Sequence, residues 1–133
     1  MVAATAAQVY VREDKRAAEH EEARAIDLVH LARQTDGDAA LESELLAMFD
    51  AQAAKLSARL ALAEVGAQTK ADIAHRLRGS ALAIGAHRVS AAAERAERHF
   101  TRLAASGEAG GDPLPDLKAA VDEARSAIAR LIP

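Results

Sequence analysis

The chain has 133 residues, a net charge of −3, half of its residues apolar and only 2% aromatic. That length gives one domain with one core, and the absence of cysteine excludes a disulfide framework or a thiolate zinc site. Mixed charge without a basic stripe argues against nucleic acid as partner, and so few aromatics leave little to stack bases on.

Residues 1–25 are alanine-rich and then heavily charged (VREDKRAAEHEEAR), with a weak apolar face. They read as an N-terminal extension, helical or flexible, ahead of a folded unit over 26–133. A short helix is expected from Ile26 to Arg33, with Ile26 and Val29 inward and His30 partly buried. Asp36 or Asp38 then caps a long helix over about 39–64. Its stripe consists of Leu41, Leu45, Met48, Phe49, Gln52, Leu56 and Leu60, at spacings of three and four. Gln52 on that stripe is expected to hydrogen-bond within the bundle or sit at its rim. Gly66 is expected to end the helix.

Thr69 to Asp72 resembles a capping box and opens a helix over 70–84, which Gly85 stops. The next helix, over about 86–105, turns Val89, Ala92, Ala93, Ala96, Phe100 and Leu103 inward. After the loop at 106–112, Asp112-Pro113 or Asp116 opens the last helix. Its buried side is Leu117, Val121, Ala124, Ile128 and Leu131. Proline is confined to positions 113, 115 and 133, so nothing interrupts the earlier helices. Long helices joined by short loops predict an all-α, antiparallel up-down-up-down four-helix bundle with a short N-terminal helix and a helical extension.

The helix over 70–84 carries the chemistry. On a wheel of about 100° per residue, Ile73, Leu77 and Ile84 lie roughly opposite His75. The core face is therefore defined, and the imidazole points out of the bundle. Gly79 lies one turn beyond His75, where glycine costs roughly 1 kcal/mol against alanine in a helix interior; a side chain there is expected to crowd the ring. Arg78, three residues after His75, can reach phosphate oxygens. A lone surface histidine or a lone helical glycine means little. A nucleophile, a cation at +3 and a cleared approach at +4, with the core opposite, form a specific pattern.

The run His75-Arg-Leu-Arg78-Gly79-Ser80-Ala81, followed by Ile84-Gly85-Ala86, resembles the motif of the histidine-containing phosphotransfer (HPt) family, usually written H-x-L-K-G-S-A with a later Gly-Ala pair. The stretch DLVHLARQTDGDAALESELLAMFDAQ is also similar to the start of alphaproteobacterial members. Arg78 stands where lysine is commoner, which keeps the charge but offers a fork rather than a point. The resemblance implies that His75 accepts and donates a phosphoryl group between receiver-domain aspartates of a hybrid histidine kinase and a response regulator. It implies that Arg78 stabilises phosphate, Gly79 gives access, and Glu97 on the following helix orients the ring. Docking is expected to use small and apolar residues around His75, such as Ala71 and Leu82.

The same resemblance implies no cofactor on this chain, Mg2+ being expected on the partner receiver. No glycine-rich phosphate loop or kinase motif occurs, so autophosphorylation from ATP is not expected. Two Asp-x-x-His pairs, Asp27/His30 and Asp72/His75, invite comparison with bundle metal sites, but His75 projects outward and no metal is expected. No apolar run approaches a membrane span and the N-terminus lacks a signal-peptide pattern. A soluble cytoplasmic protein is therefore expected, and a monomer is taken as the default. The rival reading is a helical adaptor or oligomerisation module without chemistry.

Overall fold

The computed structural model describes residues 25–133. The reading of residues 1–25 as a helical or flexible extension lies outside these except for Ala25, which is buried. Among the described residues there are five helices and no strand: α1 (Leu28–Thr35), α2 (Ala39–Leu60), α3 (Ala67–Ile84), α4 (His87–Ser106) and α5 (Leu114–Leu131). Helices α2 to α5 form a closed ring in which each packs against two neighbours, and α1 lies on α2 and α3.

Two cross-helix bonds mark how α2 runs against its neighbours. Ser80 Oγ donates to Gln52 Oε1 at 2.8 Å, and Arg125 Nε donates to Asp50 Oδ1 at 2.9 Å. Gln52 thus takes the role in the bundle that its place on an apolar stripe predicts. The core of α2 is Leu46, Phe49, Ala53, Leu56 and Leu60, a three–four alternation. Leu41 and Met48, expected inward, are exposed, Met48 at 67%. Ala53 takes the central position instead, because a methyl group lets the neighbouring helix approach where a longer side chain would hold it off.

The α3–α4 seam is built on the same rule. Ala74 and Ala81 of α3, and Ala92, Ala93 and Ala96 of α4, are all buried. The turn between these helices is only Gly85 and Ala86. Ile73, Leu77 and Ile84 are buried as the wheel predicts, with Leu77 fully so. Burying a side chain of this kind is worth about 1.5–3 kcal/mol. The inward faces expected for α4 and α5 also hold, with Leu103 and Leu131 half-buried at the rim.

Several element boundaries differ from the expectation. Helix α1 starts at Leu28 because Asp27 is its N-cap, accepting the His30 N–H at 3.0 Å. Ile26 is buried ahead of the helix, whereas Val29, expected inward, is 63% exposed. Asp38 caps α2, and Asp36 ends α1 in a left-handed conformation. Helix α2 stops at Leu60, and the turn over 61–65 brings Val65 back against the core. Gly66 therefore opens α3 in an extended conformation rather than closing α2. The Thr69–Asp72 box does not cap: α3 has begun two residues earlier, and Asp72 accepts from Gln68 Nε2 inside the helix.

Gly85 is the one glycine fixed by both conformation and space. Its φ is +79°, and a Cβ there would meet Asp27 at 2.9 Å, while Asp27 N–H donates to Gly85 O at 2.9 Å. Gly85→Ala is expected to cost about 2 kcal/mol or more in chemical denaturation, because it combines left-handed strain with that clash.

Asp27 also accepts from His87 Nε2 at 3.1 Å. The His30 backbone N–H and then the His87 side chain hold its carboxyl below its ordinary value of 3.8. A depressed folded-state value adds stability above the unfolded value, and this is lost as pH falls through the folded one. Asn caps as well as Asp. The stability lead of wild type over Asp27→Asn should therefore be present at neutral pH and close below about pH 4 in pH-dependent melts.

Candidate functional site

His75 lies mid-way along α3 and is exposed, its side chain at 68%. The cause is the burial of Ile73, Leu77 and Ile84 on the opposite side of the same helix. The ring is held from α4. Its Nδ1 lies 2.9 Å from Glu97 Oε1. A carboxylate only accepts, so Nδ1 carries the proton and donates. In the neutral ring that leaves Nε2 as the nitrogen with an available lone pair. Glu97, expected from the resemblance to orient the ring, is placed where it can do so.

Arg78 Nη1 lies 3.9 Å from Glu97 Oε2, so one carboxylate faces both the imidazole and the guanidinium. Glu97 Oε2 is itself buried and without a hydrogen-bond partner. The 3.9 Å contact with Arg78 is thus an ion pair without a hydrogen bond, and leaves guanidinium donors free for another anion. On α4, Thr101 Oγ1 donates to the backbone carbonyl of Glu97 at 2.8 Å, one turn along the same helix.

A Cβ built on Gly79 meets nothing within 4 Å. The glycine therefore does not relieve a clash with the His75 ring within this chain, as the sequence suggested. It leaves the space one turn beyond the ring open to the outside. Leu82, one turn further, is 44% exposed on the same side. Ala71 corrects an expectation: it is 3% exposed and belongs to the core, not to a docking face. Its methyl group is too short to clear the surrounding side chains, so it is buried although it lies only one turn from His75. Met48 on α2, whose spacing predicts an inward position, is exposed one turn from Gln52, the partner of Ser80.

The remaining histidines lie elsewhere. His87 is exposed and bonded to Asp27, and His30 is half-buried beside it, ring centroids 6.0 Å apart. His99 packs edge-on against Phe100. His20 lies outside the described residues. No group of three or more His, Cys, Asp or Glu suited to hold a metal occurs among the described residues, and none of their helices is long and apolar enough to cross a membrane.

The site is thus an exposed imidazole on the outside of a helical bundle, oriented by a carboxylate and set beside a cation, which are the parts a phosphate-accepting site needs. Comparison with protein-family models specifies the class of protein: the model of the Hpt domain matches residues 44–127. The chain belongs to the Hpt domain family, whose members are phosphocarriers that work with receiver domains in phosphorelays. Neither curated proteins nor solved structures gave a match.

Because Gly79 is mid-helix, exposed and free of neighbours, Gly79→Ala should stabilise the fold by about 0.5–1 kcal/mol in thermal or denaturant unfolding. A loss of stability instead would mean that the glycine serves this chain's own packing.

Proposed function

We propose that this protein is an intermediate phosphoryl carrier in a multistep two-component phosphorelay, taking the group from the aspartate of one receiver domain and passing it to that of another. The observation that carries this is the exposed His75 ring with Nδ1 tied to Glu97 and Nε2 left available.

The step balances on these residues. Nε2 of the neutral ring attacks the phosphorus of an aspartyl phosphate. The N–P bond forms, the acyl P–O bond breaks, and the aspartate leaves as a carboxylate. The Nδ1 proton stays in place, so the phosphorylated ring is cationic, and the Glu97 carboxylate at 2.9 Å offsets that charge. Transfer to the next aspartate reverses the same events. Phosphoryl transfer needs in-line positioning and charge stabilisation more than covalent chemistry. His75 and Glu97 supply the first, Arg78 contributes to the second, and a divalent cation is expected on the receiver. Gly79 keeps the approach open, and the exposed Leu82 offers an apolar contact to the incoming domain.

The test mixes the full chain with purified receiver domains of its source organism, each phosphorylated beforehand, and follows the phosphoryl group. Acid-labile, alkali-stable label on wild type and none on His75→Gln is expected. Normal labelling of His75→Gln, or no label from any receiver, overturns the carrier reading and leaves an adaptor. Glu97→Ala removes one charge-assisted hydrogen bond, worth about 1.5–3 kcal/mol. It should slow transfer about tenfold or more in single-turnover assays while His75 remains the labelled residue.

A further inference from the structure

The surface around His75 is asymmetric in charge. The chain as a whole carries −3. Helices α3 and α4 nevertheless hold seven Lys and Arg against three Asp and Glu. Part of this surplus is gathered on one flank of the nucleophile. Arg78, Glu94, Glu97, Arg98, Thr101 and Arg102 line a shallow cleft of about 300 Å³ between the two helices. Glu97, which holds the His75 ring, is one of its walls. Through Glu97 the cleft adjoins the His75 ring.

The cations here are only partly neutralised. Arg98 Nη2 donates to Glu94 Oε1 at 2.8 Å, within α4, and is 62% exposed. Arg102 is exposed and makes no ion pair among the described residues. Leu82 on α3 and Met48 on α2 are exposed apolar side chains that do not line this cleft. We propose that the α4 strip of Arg98 and Arg102 is a specificity surface that selects receiver domains bearing carboxylates on the side of the phosphoaspartate that faces α4. This rests on the carrier reading and adds to it the chemistry of the preferred partner. The forked guanidinium suits carboxylates, and charges at the rim of an interface act mainly on encounter and on rejection of wrong partners. Neither arginine touches His75, so their contribution is to docking and not to the transfer step.

The experiment compares wild type, the double variant Arg98→Glu/Arg102→Glu, and the control Lys118→Glu on α5. Each is loaded in two ways: with phosphoramidate, a small donor that needs no docking surface, and with the phosphorylated receivers of the source organism. All three proteins should load equally from phosphoramidate. With the preferred receiver, the double variant should show KM raised about tenfold with kcat little changed. The wild-type advantage should shrink as salt rises from about 0.05 to 0.5 M, because exposed charges are screened over a Debye length of about 10 Å at 0.1 M. The control should behave as wild type. Exchanging one carboxylate of the receiver for lysine should recover part of the double variant's loss. Equal KM and equal salt dependence in wild type and double variant overturn the inference while leaving the carrier reading intact. Loading of wild type by phosphoramidate but by no receiver overturns both.

Discussion

The burial of Ile73, Leu77 and Ile84 on one side of α3 is the constraint on which the rest depends. An α-helix repeats its faces every 3.6 residues. Once those three side chains face the core, the position of His75 is set without any contact of its own. Hydrophobic burial is not directional, yet on a rigid helix it orients a residue on the far side. The polar bond from Glu97 then acts on a ring whose exposure is already settled, and adds the choice of ring nitrogen.

The alanine seam between α3 and α4 links packing to chemistry. Small side chains along both helices bring them together, and the two-residue turn at Gly85 and Ala86 keeps them in register. This brings Glu97, 22 residues from His75 in the chain, to 2.9 Å from its ring. It also brings Arg78, Arg98 and Arg102 to the walls of one cleft. The seam therefore sets both the geometry of the acceptor and the charge of its surroundings. A bulkier seam would separate the helices and loosen the ring without altering any residue of the site.

Much of this was legible in the sequence, and the failures have physical causes. Helix number and order, the outward direction of His75 and the buried side of α5 follow from periodicity, which reports a face over several turns. Periodicity could not decide between Met48 and Ala53 on α2, because alanine carries little hydrophobic signal of its own and its value lies in the approach it permits. Ala71 was misplaced for the same reason: an angle on a wheel says nothing about how close the next helix comes. Gly66 and the Thr69–Asp72 pattern misled because both are end signals whose sense depends on the turn between α2 and α3, where Val65 returns to the core. The partnership of Glu97 with His75 came from family resemblance, since two residues on different helices have no spacing signal. The cationic strip of Arg98 and Arg102 was visible as residues but not as a surface, because it needs α3 beside α4 to become one wall of a cleft.

The central claim is that the phosphoryl group resides on Nε2 of residue 75. It is tested most directly by 15N and 31P NMR of the uniformly labelled chain after loading. One nitrogen should show coupling to phosphorus, assigned to Nε2 of His75, with Nδ1 of the same ring still protonated. Phosphorus on Nδ1, or on any other side chain, would contradict the account.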